Sequence, residues 1–196
     1  MKTMSKYVYS LAILSLFSVA SLANAAPERY EMDIKGSHAF IQFKIKHLGY
    51  SWLLGRFNQF EGEFELDKDN IEKSKVNVTI DVASIDSNHP DRDKHLRGSD
   101  FLEVKKFPKA TFVSTKVEKT SDTTAKVTGD FTLKGVTKPL TLDVTYIGGG
   151  KDPWGGYRQG FEATTEFKLK DFGITYNLGP ASEVVEIYIS AEGIRK

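Results

Sequence analysis

The sequence predicts an all-β fold, about eight antiparallel strands closed into a barrel with a short helical insertion near 90–102. Three observations predict it. Segments of strand length alternate apolar and polar residues with period two, every clear segment offers one apolar face, and turn residues separate the segments. An antiparallel sheet of that size with one dry face must stack on a second sheet or close on itself. Closure removes the exposed edges and is the preferred reading.

The chain begins with Lys2 and Lys6, a mostly apolar run from Tyr7 to Leu22, and the small residues Ala23-Asn24-Ala25. That is the pattern of a cleaved export signal, with cleavage expected between Ala25 and Ala26. Residues 1–25 are then a signal peptide and 26–196 a single domain. The run is short for a spanning helix, no second run approaches spanning length, and no integral membrane span is expected.

The strands follow in order. The first lies near Tyr30 to Lys35. Ala39, Ile41, Phe43 and Ile45 alternate with polar neighbours, as do Phe60, Gly62, Phe64 and Leu66, then Val76, Val78, Ile80 and Val82. Around 112–117 two phases compete, one led by Phe112 and one by Val113, and the pattern leaves both open. Beyond it come Val127, Gly129, Phe131 and Leu133; Leu140, Leu142, Val144 and Tyr146; Phe161, Ala163, Phe167 and Leu169; and Val185, Ile187, Ile189 and Ala191. Turn chemistry stands at Asp67 to Asn70, Lys134-Gly135 and Gly148-Gly149-Gly150. Pro90 to Arg97 reads as the helix, with Ser87 or Asn88 as its cap, Asp91 and Asp93 in the first turn and Gly98 after it. Ser99 to Leu102 is expected to add one more turn before Pro108.

The segment from His47 to Phe57 is too apolar for an ordinary connection. Trp52 and Leu53 either plug one barrel end or form the wall and lid of a ligand entrance, with His47 or Arg56 as a polar tip; both readings stand. The inward residues Phe43, Ile45, Phe60, Phe64, Val78, Phe112, Phe131, Leu142, Tyr146, Phe161 and Phe167, with Trp52, are the candidate apolar contacts of a ligand. Gly62, Gly129 and Ala163 leave room for it. In the polar cluster from His89 to Arg97, Arg92, His95 and Arg97 are placed to meet an anionic head group if the helix lies at the barrel mouth. A divalent ion on Asp91 and His95 is the lesser reading, and no metal or other cofactor is expected.

Composition narrows the classes. Without Lys2 and Lys6 the 27 basic residues fall one short of the 26 acidic ones, a net charge of about −1 under which neither nucleic acid nor an acidic membrane surface is an expected partner. With no cysteine there is neither disulfide, thiolate nucleophile nor Cys-ligated zinc. The sequence carries no nucleophile elbow, no phosphate-cradling loop and no H-E-x-x-H. Glu61, Glu63 and Glu65 alternate on the polar face and read as a solvated surface rather than acid–base pairs.

Ser37-His38-Ala39-Phe40-Ile41-Gln42-Phe43, Lys46 to Gly49, Gly55 to Gly62, Arg92 to Arg97 with Asp100-Phe101-Leu102, Phe107-Pro108, Phe112 and Thr128 to Thr137 stand in this order along most of the chain. In that order they resemble the YceI-like family of periplasmic, lipocalin-like, polyisoprenoid-binding proteins. The resemblance implies an eight-stranded lipocalin-like barrel with a long internal tunnel that holds a polyisoprenoid, an isoprenoid-quinone precursor or a fatty amphiphile, head group near the mouth. It also implies a periplasmic location and no catalytic residues; the expected partner is a long-chain lipid, and a monomer and a homodimer both stay open. Three other readings remain: an enzyme on an isoprenoid or acyl substrate with His47 or His95 as acid–base, an outer-membrane barrel, and a packed stress or scaffold domain.

Overall fold

The computed structural model describes residues 26–196; the expected signal peptide, with Ala25, lies outside the described residues. Among the described residues eleven hydrogen-bonded strands occur: β1 (Glu28–Met32), β2 (Ala39–His47), β3 (Ser51–Phe57), β4 (Phe60–Leu66), β5 (Lys75–Asp81), β6 (Ile85–Asp86), β7 (Lys109–Lys119), β8 (Thr124–Leu133), β9 (Val136–Lys151), β10 (Tyr157–Lys168) and β11 (Val184–Arg195). They make eight staves. β11 pairs along one edge with β2 through residues 185–191 and with β1 through 193–195, so β1 and β2 are one interrupted strand. β3 with β4, and β5 with β6, are interrupted likewise, because β4 joins β1 to β5 while β3 joins β2 to β6. All ladders are antiparallel and the pairing of β1 with β11 closes the ring. This is the predicted closed eight-stranded barrel.

Local chemistry makes the interruptions. Between β1 and β2 the Asp33 carboxylate accepts the Gly36 N–H at 2.8 Å, and Ser37 turns through a positive φ of 60°. Between β5 and β6 the Asp81 carboxylate accepts the Ala83 N–H at 3.0 Å while Val82 goes fully inside. Such breaks bend long strands so that a narrow barrel can close.

The two phases near 112–117 are both real. Ala110 and Phe112 are buried, a bulge falls between Ser114 and Lys116, and beyond it Val117 is buried in the opposite phase. One extra residue in a strand swaps its faces, so alternation alone gives two answers there.

The helix α1 (Pro90–Leu96) is capped by His89, whose Nδ1 accepts the Arg92 N–H at 3.3 Å, rather than by Ser87 or Asn88. Ser87 is instead a partner of the buried Asp93, donating its N–H at 2.8 Å. That bond pins the helix start to β6. Residues 97–106 continue as turns, not as a further helical turn, and bury Phe101 and Leu102 over the barrel end. The turn of residues 169–172 and the coil after it lay Phe172 and Ile174 against the same cluster. This α1 end and the opposite end, where Tyr30 stacks on Phe64 at 4.9 Å and Phe64 meets Phe161 edge-on at 5.4 Å, bracket the interior.

Candidate functional site

Between the two packed ends runs a cavity of about 570 Å³. Its wall is mostly aliphatic and aromatic; Glu162 and Thr165 of β10 also line it, and most of the other polar liners, among them His47, Arg92, His95, Glu65 and Lys75, belong to strand ends and the helix. The inward side chains of Ile45, Val78, Phe131, Phe161 and Ile187 keep part of their surface accessible although they point into the barrel. In a packed core such residues would have none. Volume and lining both fall within the range of sites that enclose a small apolar molecule.

Of the predicted contacts, Phe43, Ile45, Phe64, Val78, Phe112, Phe131, Leu142, Phe161 and Phe167 line this cavity. Trp52, Phe60 and Tyr146 do not. Trp52 stands on the outer face of β3, opposite Lys46, and is 43% exposed. The segment that holds it is neither plug nor lid but a hairpin and a strand, with Leu53 and Phe57 turned inward to the cavity. Phe60 follows the β3–β4 break and packs with Met32, Ala39 and Ala191. Tyr146 lies beyond the last inward layer of β9, where β10 shifts register between Gly160 and Phe161; it rests on the Phe161 ring at 5.4 Å, partly exposed.

Two of the three small residues expected to leave room do not. A Cβ on Gly129 would meet the Phe112 ring at 2.6 Å, and one on Gly62 would meet the Met32 Sδ at 2.5 Å. These glycines are seats for large neighbours. Ala163 alone of the three borders the cavity.

At the α1 end the rim brings together His47, Arg92 and His95 of the five predicted head-group residues. Arg56 points outward to Asp86 at 3.5 Å. Arg97 donates to the backbone oxygens of Ala83 and Ile85, both at 2.7 Å, and so holds the β5–β6 corner. Its guanidinium is occupied by structure. Arg92 also gives its Nε–H to the Ser87 hydroxyl at 2.7 Å, which fixes the side chain at the rim. The His95 ring contacts Phe101 and Tyr176 edge-on at 5.0 and 5.2 Å, and its Nε2 lies 2.9 Å from Asp100. Tyr176 and Leu178 complete this rim and lie outside the predicted set, though Phe172, Ile174, Tyr176 and Leu178 alternate as a strand would. Glu65, Ser74 and Lys75 line the far rim.

Away from the cavity, Asp33, His38 and Glu192 hold ligand-type atoms within 4.8 Å of one another. Arg158 already bridges two of the three, reaching Asp33 at 2.7 Å and Glu192, and holds Asp152 at 2.8 Å. The Asp33 carboxyl is lowered to about 2, by its hydrogen bond with His38 first and Arg158 second. A guanidinium in that position makes the cluster an ion-pair knot.

A closed antiparallel barrel around an apolar cavity with polar rims defines a lipocalin-like barrel. The chain belongs to the YceI-like domain family, whose model matches residues 30–193. A UPF0312 protein of Ectopseudomonas mendocina is 56% identical over 187 residues, covering 95% of this chain and 98% of that one. The crystal structure of BcnA from Burkholderia cenocepacia superposes with a TM-score of 0.73 at 25% identity, covering 82% of this chain and 98% of BcnA. A polyisoprenoid-binding domain from Saccharophagus degradans shares the fold with a TM-score of 0.61 at 14% identity, over 85% of this chain and 98% of that domain. Among the described residues no helix is long and apolar enough to cross a membrane.

Proposed function

We propose that this chain is a periplasmic carrier that holds one long apolar lipid, a polyisoprenoid, an isoprenoid-quinone precursor or a fatty amphiphile, inside its barrel. The observation that carries the reading is the cavity, apolar along most of its wall, with His47, Arg92 and His95 together at one rim. Phe43, Ile45, Phe64, Val78, Phe112, Phe131, Leu142, Phe161 and Phe167 contact the tail, and His47, Arg92 and His95 face the head group. The name of the Saccharophagus degradans domain supports a prenyl chain, and the Lys2-to-Ala25 pattern supports export by a cleaved signal. The protein acts by binding and release rather than by turnover. Burying each methylene gains about 0.8 kcal/mol relative to water, so a prenyl tail is nearly insoluble alone. A membrane shelters the same tail, which makes exchange between bilayer and barrel close to neutral and therefore reversible.

The test is calorimetric titration with geranylgeranyl phosphate, a prenyl amphiphile that can be presented without vesicles. Saturable binding at about one per chain with a negative heat-capacity change is expected. Absence of any saturable heat rejects the carrier reading.

A further inference from the structure

The hairpin from β2 to β3 projects at the α1 rim with an apolar outer side. At its tip Leu48 and Gly49 have φ of +53° and +82°, and the Tyr50 N–H donates to the His47 oxygen at 2.9 Å. Two consecutive positive φ values are the geometry that favours Asn-Gly, and a leucine there is strained. The Leu48 side chain is 57% exposed, so packing does not repay the strain. Tyr50 at the end of the turn and Trp52 and Leu54 on β3 continue the exposed apolar run. Lys44 and Lys46 hold their ammonium groups 4.5 and 5.6 Å from the Trp52 ring.

Net charge speaks against an acidic membrane surface, but it hides an uneven distribution of charge over the molecule. The α1-end segments 46–52, 87–109, 133–139 and 168–184 carry eleven Lys and Arg against six Asp and Glu, while the rest of 26–196 carries fourteen against twenty. At the far end Trp154 and Ile147 are also exposed. There, however, segments 26–38, 63–75, 116–126, 146–162 and 192–196 carry twelve basic residues against thirteen acidic ones. Exposed aromatics and aliphatics inside a basic field are the combination that seats a protein in an anionic head-group layer.

We infer that the α1 end docks on a bilayer bearing anionic phospholipid, with Leu48, Tyr50, Trp52 and Leu54 entering the head-group layer beside the cavity rim. A lipid then passes between bilayer and barrel without crossing water. This purpose rests on the carrier reading; the docking geometry does not.

The two tryptophans stand at opposite ends of the barrel and provide the test. With vesicles of brominated phosphatidylglycerol, Trp154→Phe protein, in which Trp52 reports, is expected to show quenching and a blue shift. Both effects are expected to fade in phosphatidylcholine or at about 1 M salt. Trp52→Phe protein, in which Trp154 reports, is expected to show neither. Leu48→Asn relieves the turn strain, so its melting temperature should hold or rise while vesicle affinity falls about tenfold. Quenching of Trp154 instead of Trp52, no quenching of either, unchanged affinity in Leu48→Asn, or a concentration-dependent dimer that shields Trp52 would each overturn the inference. Geranylgeranyl phosphate added from solution separates the two readings. Binding of it without vesicle docking rejects the docking alone, and docking without binding of it rejects the carrier alone.

Discussion

The inner wall is built from aromatic rings laid over glycines on neighbouring strands, and two substitutions there have opposite expected signs. A Cβ on Gly55 would lie 2.2 Å from the Phe43 ring and 2.9 Å from the Asp86 backbone oxygen. Gly55→Ala should therefore destabilise the protein by about 1–3 kcal/mol in urea titration, as overpacking does. Ala163 borders the cavity between Val144 and Ile189. Ala163→Phe should fill space rather than strain a packed wall, leaving stability unchanged or raised by up to about 2 kcal/mol, and should weaken geranylgeranyl phosphate binding. A loss of stability in Ala163→Phe comparable to that of Gly55→Ala would mean that the interior is packed. Which residues point inward was legible wherever alternation was clean, and Phe43, Val78, Phe131 and Phe167 needed nothing more. Whether an inward glycine leaves a hole was not legible, because the space over Gly129 and Gly62 is taken by Phe112 and Met32 from neighbouring strands.

Elements were legible in proportion to the contrast between their faces. β3 was hidden because Trp52, Leu53 and Leu54 are apolar on both faces, which erases period two. The coil carrying Tyr176 and Leu178 follows the alternation of a strand, yet the turn of residues 169–172 and the positive φ of Gly173 take it out of the sheet and across the barrel end. The β1–β2 break was legible, since the strand near Tyr30 ends before Ala39, but the knot that holds it was not, because Arg158 lies 125 positions away from Asp33. That break yields a pH prediction. The Asp33 carboxyl falls from its ordinary 3.8 to about 2, so the knot stabilises the fold fully above the ordinary value and loses that contribution as pH drops through about 2. Urea stability measured from pH 5 to pH 2 should therefore fall more steeply for the wild type than for Asp33→Asn, which carries no titrating carboxyl there. Parallel curves would show that the knot contributes nothing to acid stability.

At the scale of the whole molecule, eight staves enclose an apolar lumen whose basic end carries the hairpin tip and the His47, Arg92 and His95 rim. Closure was legible because eight one-faced strands have few other ways to hide their edges; the lumen was not, because alternation says which way a side chain points and not what it meets. Ligand in about hundredfold excess over its dissociation constant should stabilise the fold by about 2.7 kcal/mol. For a domain of this size that raises the melting temperature by roughly 5–10 °C, and a shift that is the same for Ala163→Phe would show that the probe binds elsewhere. The carrier reading is tested most directly by native mass spectrometry of the protein purified from its own host without detergent, followed by organic extraction. A stoichiometric adduct that dissociates as a prenyl or long-chain acyl lipid is expected. A bare chain mass that stays bare after incubation with polyprenyl lipids would contradict it.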